Sequence, residues 1–381
     1  MSEYRFVHFL ALDRPLDEAA MEFMRNQSTR AKITRWEFTN EYHFGDFRGD
    51  DLIMLQRGYD VHLHFANYGI RKLVIRIPGG LPCAPNLFER FCPDHGVTWH
   101  PDTTGSDDTG GSGGSLEISP EGDGSSWDGY IDGLSDLLPA IASARELLMQ
   151  GDLRPLYIAW LACTYGDILE PPVPAGMKSL PKALLEMARF YEIDSSLLEA
   201  AAERSPDDAP PGADQKCRIR DWLNSRSGDE ARDLAFRLMT EDAAGIRTDV
   251  LAKIREQAGP VDWPVAEPSR TLAVLYEEAE SLAARKIELA RAEAARRHAE
   301  RIAQLAADPK KAIAHVKSLV ARRSTTDYEL AAKELADLRD ALDSAAGRRQ
   351  VANAVASLLR EYPALNRLKS SLRKYGLIPK R

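Results

Sequence analysis

The chain has 381 residues, of which 44% are apolar and 28% are charged. This length exceeds one ordinary hydrophobic core, so we expect two or three domains, and the apolar fraction excludes a globally disordered chain. The net charge is −8, and no stretch approaches about 18 uncharged apolar residues, which argues against a membrane-spanning helix.

The first residues and the cysteines predict a cytoplasmic protein. Charged side chains interrupt the short apolar run at the start, at Glu3, Arg5 and Asp13, and a secretory signal needs a longer uninterrupted run. The four cysteines are irregularly spaced, which suits a reducing compartment better than a disulfide framework. We therefore expect a cytoplasmic chain without a membrane partner.

The first 50 residues alternate strand patterns with a helix pattern. Residues 4–12 predict a strand, and residues 17–26 predict a helix with Asp17 as its cap. Residues 31–44 return to strand-type side chains and predict one long strand or two short ones.

A second helix and a further strand complete this region. Residues 52–66 carry apolar side chains at helical spacing after Asp50 and Asp51, either of which suits the helix cap. The KLVIRI run at 72–77 predicts the clearest strand. The order strand, helix, one or two strands, helix, strand predicts an α+β protein with an N-terminal ferredoxin-like α/β sandwich.

A polar segment precedes the end of the first domain. Residues 101–115, PDTTGSDDTGGSGGS, contain no large apolar side chain, so burial cannot repay the entropy of ordering them. They predict a flexible loop inside a first domain at 1–129.

The rest of the chain has helix patterns. Residues 153–165 are apolar nearly all round and predict a core helix, whereas residues 269–307 predict one long charged helix. We expect the chain after residue 129 to divide into three parts: a mostly helical middle domain at 130–263, a long connecting helix at 264–307 and a C-terminal helical bundle at 308–381.

The long helix has two interpretations. Leu275, Leu282 and Leu289 keep a seven-residue step, but Arg296 occupies the next position. A coiled coil needs three or four sustained heptads, so we favour a solvated connecting helix and keep a coiled coil with a partner as the alternative.

One group of residues suggests zinc. Cysteine and histidine side chains with zinc-ligand chemistry recur over a short stretch, at Cys83, Cys92, His95 and His100. The eight residues between the cysteines exceed the usual spacing of a zinc knuckle, so the alternative is an irregular loop with unrelated cysteines. His62 and His64 fall in the predicted second helix, where they would point in different directions and form no joint site.

The C-terminal third suggests contact with phosphate. Residues 270–381 carry 23 lysines and arginines against 14 aspartates and glutamates. The cations that cluster with few acidic neighbours are Lys310, Lys311, Lys317, Arg322, Arg323, Arg367, Lys369, Arg373 and Lys374. Such a row can neutralise a nucleic-acid backbone without reading its sequence. The alternative is a solvated helical surface.

Catalytic motifs with fixed local spacing do not occur in the sequence. It has no glycine-rich phosphate loop of the P-loop or dinucleotide type, no G-x-S-x-G and no H-E-x-x-H. No residue is therefore assigned to catalysis.

Four segments resemble a bacterial protein family whose genes we associate with those of SWIM-type zinc-finger proteins. They are ITRWEFTNEYHFGDFRGDD, HFANYGIRKLVIRIP, LLMQGDLRPLYIAWL and EPPVPAGMKSLPKALLEMARFYEID. The resemblance covers most of the chain and implies the N-terminal α/β part and the helical tail. It implies no activity and no catalytic residue.

Three hypotheses about function follow. The first is a non-catalytic interaction or scaffold protein of the bacterial cytoplasm that binds a protein partner and needs no cofactor. The second is an accessory protein that binds nucleic acid through the basic C-terminal helices. The third is a metal-dependent enzyme, with zinc as the candidate cofactor, centred on the N-terminal domain.

Overall fold

A computed structural model describes residues 3–93, 95–102, 113–120, 131–207, 215–241, 243–258 and 261–379. The chain divides into two compact units, Met1–Leu282 and Ala283–Arg381, called here the N-terminal and C-terminal units. The finer division predicted from the sequence, with boundaries at 129, 263 and 307, stays a prediction.

Seven strands of the N-terminal unit form one sheet in the order β2-β3-β1-β4-β5-β7-β6. They are β1 (Arg5–Leu10), β2 (Lys32–Ile33), β3 (Glu37–Tyr42), β4 (Val61–Ala66), β5 (Ile70–Ile77), β6 (Val97–Pro101) and β7 (Gly114–Ile118). A separate short pair joins β8 (Val173–Pro174) to β9 (Val265–Ala266).

The α+β class is confirmed, but the ferredoxin-like arrangement is not. In a split βαβ arrangement a third strand separates the two parallel strands, so antiparallel neighbours alone do not decide for or against it. In the described sheet every strand pair is antiparallel, and β1 lies between β3 and β4.

Among the described residues, eleven helices begin and end within this unit. They are α1 (Glu18–Gln27), α2 (Asp51–Gln56), α3 (Pro85–Glu89), α4 (Leu134–Ile141), α5 (Ala144–Met149), α6 (Arg154–Cys163), α7 (Lys182–Phe190), α8 (Ser195–Glu203), α9 (Gln215–Asn224), α10 (Gly228–Thr240) and α11 (Ala243–Ala258). The predicted caps are confirmed, since Asp17 accepts from the Ala20 amide at 2.7 Å and Asp50 from the Ile53 amide at 3.0 Å.

Two hydrophobic cores cover the two faces of the sheet. The larger combines Leu63, Leu73 and Leu116 of the sheet with side chains of α4 to α8. The predicted core helix 153–165 is confirmed as α6, where nine of ten residues are buried. The smaller core packs α1 and α2 on the opposite face, around Phe9 and Phe38. It covers the part of that face near β1 and β3.

The second predicted helix is wrong beyond its first two turns. The helix α2 ends at Gln56, and the segment predicted as its continuation forms β4. Gly58, at φ +153, occupies a conformation that disfavours residues with a side chain, and the chain turns there. The VHLHFA segment alternates between two faces of a sheet, which residues at helical spacing would not do.

The predicted flexible loop is only partly described. Pro101 belongs to β6 and Gly114 and Ser115 to β7, because these residues pair across the two strands. Residues 103–112, on which the rest of that prediction falls, lie outside the described residues.

The predicted long helix is confirmed as α12 (Leu272–Ala307). A buried ion pair precedes it: Arg270 is 4% exposed and contacts Glu170 at 2.7 Å and 2.9 Å. Leu272 and Leu275 then pack in the larger core. The helix therefore starts inside the N-terminal unit, and its residues from Ala283 onward belong to the C-terminal unit.

Four further helices complete the C-terminal unit: α13 (Pro309–Ala321), α14 (Thr325–Ala341), α15 (Ala345–Glu361) and α16 (Asn366–Lys374). Their apolar stripes meet in a separate core that includes Val316, Leu335, Leu358 and Leu372. This confirms the predicted C-terminal helices and their packing stripes. No helix within the described part of the chain is long and apolar enough to cross a membrane.

Candidate functional site

Two groups of charged side chains stand out, one in each unit. The first, called the sheet cluster, lies on the sheet face that the smaller core leaves partly uncovered. It consists of side chains from α2 and four neighbouring strands: Asp51, His62, His64, Lys72, Glu117 and His100. Alternation along each strand places these side chains on one face while their apolar neighbours enter the larger core.

Four members of the sheet cluster form a continuous chain of ion pairs and hydrogen bonds. The Lys72 ammonium lies 2.8 Å from Oδ2 of Asp51 and 3.0 Å from Oε1 of Glu117. The other oxygen of Glu117, Oε2, lies 2.9 Å from Nε2 of His100. Lys72, Asp51 and Glu117 are each about one-fifth exposed. Each charge in this chain therefore has an opposite charge or a hydrogen-bonding partner beside it.

The two remaining members are histidines of β4. His62 is fully buried, stacks on Phe9 with ring centroids 3.9 Å apart, and donates from Nδ1 to the His8 carbonyl at 3.1 Å. Its Nε2 lies 3.7 Å from Oδ2 of Asp51. Nε2 of His62 and Nε2 of His64 are buried and have no hydrogen-bond donor among the described residues.

The surroundings keep both imidazoles neutral. Burial lowers the pKa of His62 to about 3 and that of His64 to about 4, despite the nearby carboxylates. Burial raises the pKa of the Asp51 carboxyl, but His62 and Lys72 outweigh burial and lower it. Burial lowers the pKa of Lys72, and Asp51 and Glu117 more than reverse that effect. Near neutral pH the cluster holds one ammonium between two carboxylates.

The sequence could have revealed this cluster through one signal. Val61, Leu63 and Phe65 alternate with His62 and His64, which is the period of a strand with a polar face. Because residues 52–66 were predicted as a helix, the alternation was not used, and the two histidines were expected to point in different directions. Their lateral neighbours come from strands distant in sequence, which no local pattern identifies.

Cys83 and Cys92 lie near each other, but the four zinc candidates do not form a metal site among the described residues. Cys83 and Cys92 lie at the edge of the larger core, His95 is exposed in a turn, and His100 is engaged with Glu117. Burial raises the pKa of Cys83 to about 11; burial, with Cys83 and Glu89 nearby, raises that of Cys92 to about 12. The described residues contain no group of three or more ligand side chains arranged for a metal ion.

The second group, called the α13 surface, lies in the C-terminal unit. It consists of exposed cations on α13 and at its end: Lys310, Lys311, Lys317, Arg322 and Arg323. Asp308 caps the helix by accepting from the Lys311 amide at 3.0 Å, and Pro309 occupies the first turn. Val316 and Val320 are fully buried, so the opposite side of α13 faces solvent.

Three carboxylates of the neighbouring helix α14 are engaged with side chains other than these five cations. On α14, Glu334 pairs with His315 at 3.0 Å and Asp337 with Arg301 at 3.2 Å, while Glu329 pairs with Lys374. Among the described residues, none of the five cations of the α13 surface forms an ion pair. Their charge is therefore available to an external anion.

The other four predicted cations differ in whether a neighbouring carboxylate neutralises their charge. Arg367 donates to the Thr325 hydroxyl at 2.8 Å and Lys369 to the Pro363 carbonyl at 2.6 Å, so both keep their net charge. Lys374 is neutralised by Glu329. Arg373 is half-buried, and its Nε has no hydrogen-bond acceptor in the part of the chain that the structure describes.

Comparison with known proteins adds no information about either site. No family model, no curated protein and no solved structure matches this chain. The resemblance noted in the sequence therefore contributes no site residue, and function is argued from the two charged groups alone.

Proposed function

We propose that this chain is a non-catalytic interaction protein whose C-terminal unit binds the phosphate backbone of nucleic acid. The observation that carries the proposal is the uncompensated charge of the α13 surface. Its five cations are exposed and lack internal ion pairs within the described structure, whereas the charges of the sheet cluster neutralise one another.

The charge of the whole C-terminal unit supports this function. Residues 283–381 contain 22 lysines and arginines but only 11 aspartates and glutamates. Three of those carboxylates, all on α14, are paired with side chains other than the five cations of the α13 surface. A phosphate backbone that binds such a surface releases its condensed counterions, which favours association.

The test is nucleic-acid binding by the full-length protein, measured by fluorescence anisotropy between about 50 and 200 mM salt. We expect affinity to fall steeply with salt for the natural chain. The triple variant Lys310→Ala, Lys311→Ala, Lys317→Ala should lower the magnitude of the logarithmic salt slope by about 0.9 for each phosphate that the variant no longer neutralises.

Lys374→Ala is the matched control. It removes the same side chain from the same unit, but this ammonium is already paired with Glu329. We expect its affinity to stay within about twofold of the natural chain, since exposed pairs contribute little. Equal losses for Lys374→Ala and the triple variant, or no binding by the natural chain, would contradict the proposal.

A second candidate function, binding of a protein partner, has its own observation. The helix α10 exposes two large apolar side chains three residues apart, Phe236 at 67% and Met239 at 86%. Residues at this spacing lie on one face of a helix. Capture from a cell lysate that is lost in Phe236→Ser, Met239→Ser but kept in Lys310→Ala would support a protein partner on α10. Equal capture by both variants would oppose it.

A further inference from the structure

We infer that the α13 surface seats in the major groove of duplex DNA, with cations on both sides of the helix meeting the two phosphate backbones. This inference rests on the proposed function and names its substrate class. It starts from the arrangement of the cations around α13 rather than from their number.

The cations form two rows along the helix. Each residue advances about 100° around an α-helix and about 1.5 Å along it. Lys310 and Lys317 therefore share one side of α13, about 10 Å apart. Lys311 and Arg322 share a second side, about 16 Å apart and roughly 100° to 140° around the helix from the first row.

Small side chains fill the strip between the two rows. Ala314, Ser318 and Ala321 are exposed and lie between the rows by the same helical geometry. The Ser318 hydroxyl donates to the His315 carbonyl at 2.8 Å, so it is turned back to its own helix. A strip without bulk or free donors lets the helix backbone approach a surface closely while its cations reach to either side.

This shape fits one form of nucleic acid best. The major groove of B-form DNA, about 12 Å wide, admits an α-helix and has a phosphate backbone along each edge. The major groove of A-form RNA is too deep and narrow for this docking. Because the strip offers no base-reading side chain, binding should be independent of DNA sequence.

Single-stranded nucleic acid fits poorly because the unit has no stacking platform among its described residues. Residues 283–381 contain no phenylalanine or tryptophan. Of the three tyrosines, Tyr328 is 4% exposed, and Tyr362 and Tyr375 pack against the core of the unit. Base stacking on exposed aromatic rings is the usual source of affinity for single strands.

The buried side of α13 holds both rows at fixed spacing. Ala312, Val316, Leu319 and Val320 pack against the core shared with α14. A rigid row of charges matches a stiff duplex better than a flexible strand, because less ordering entropy is lost on binding.

The experiment compares four labelled nucleic acids of equal length with the full-length protein: two duplex DNAs of different sequence, the duplex RNA matching one of them, and one single DNA strand. We expect both duplex DNAs to bind alike, and at least tenfold more tightly than the RNA duplex or the single strand. Row variants Lys310→Ala, Lys317→Ala and Lys311→Ala, Arg322→Ala should each weaken duplex DNA binding by a similar factor.

The outcomes separate this inference from the proposed function. Binding of the single strand or the RNA duplex as tightly as duplex DNA would overturn the groove placement and leave phosphate binding intact. Weaker DNA binding by only one of the two row variants would also overturn the groove placement. A helix that contacts a single phosphate backbone uses the cations of only one row. Failure to bind any of the four nucleic acids would end both proposals.

Discussion

The sheet cluster and the α13 surface show two opposite uses of charged side chains. In the sheet cluster, Lys72 lies between Asp51 and Glu117, and the side chains are mostly withdrawn from water. On α13 the cations extend into solvent, and the neighbouring carboxylates are engaged with other partners. Charges that compensate one another stabilise a fold, whereas charges without compensation attract a partner.

This difference makes stability and binding separable in experiments. All six tryptophans lie in the N-terminal unit, at positions 36, 99, 127, 160, 222 and 263. Tryptophan fluorescence during urea unfolding therefore reports on that unit alone. Substitutions among compensated charges should shift this transition, and substitutions on the α13 surface should not.

The largest change in stability is expected at the buried ion pair of Arg270 and Glu170, which precedes α12. Arg270→Ala should destabilise the N-terminal unit by about 3–5 kcal/mol, because it leaves the Glu170 carboxylate buried without its cation. Urea unfolding followed by tryptophan fluorescence measures this change. The double variant Arg270→Met, Glu170→Leu should recover a large part of the stability, since it removes both charges. A double variant no more stable than Arg270→Ala would contradict this account.

The next effect is a dependence of stability on pH. His62 and His64 have pKa values of about 3 and 4 in the folded chain, below the ordinary value of about 6.5. Between the folded and the unfolded pKa values, the unfolded chain binds more protons than the folded chain. The free energy of unfolding is therefore highest above about pH 6.5 and falls as the pH decreases toward 4. Over this range each histidine lowers the free energy of unfolding by on the order of 1 kcal/mol per pH unit.

The measurement is the urea midpoint of tryptophan fluorescence between pH 7 and pH 5. His64→Gln should flatten the decline, because it removes one of the buried titrating groups. His315→Gln is the control, since His315 is an exposed histidine of the C-terminal unit. An unchanged slope in His64→Gln would show that this histidine is not held neutral by the fold.

A smaller effect is expected at the centre of the sheet cluster. Lys72→Met keeps the length of the side chain but leaves two partly exposed carboxylates facing each other, at a cost of about 1–2 kcal/mol. The same fluorescence transition measures it. The double variant Lys72→Met, Glu117→Gln should restore part of the stability. If Lys72→Met alone were as stable as the natural chain, the cluster would not depend on charge compensation.

The smallest effect on stability is expected on α13. Lys317→Ala should change the free energy of unfolding by less than about 0.5 kcal/mol, because the side chain is exposed and has no ion pair in the described structure. Thermal unfolding followed by far-ultraviolet circular dichroism measures it. A large decrease in stability would mean that this cation serves the fold and would weaken the case for its role in binding.

Local patterns predicted the helices that carry the C-terminal cations, but not the strand β4 that carries two members of the sheet cluster. The nine C-terminal cations and the amphipathic helices that carry most of them are visible in the sequence, because a helix brings residues three, four and seven apart to one face. The sheet cluster was missed. Its members come from α2 and four strands, and their contacts depend on strand register.

The sequence by itself determined the α+β class, the long helix, the apolar stripes of the C-terminal helices and the surplus of positive charge there. These properties depend on side chains close together in the chain. Only the tertiary structure decided which charges are neutralised, because Glu329 meets Lys374 and Lys72 meets Glu117 across long stretches of sequence. It also decided that Cys83 is buried and Cys92 half-buried, which raises the pKa of both thiols, since burial depends on how distant segments pack.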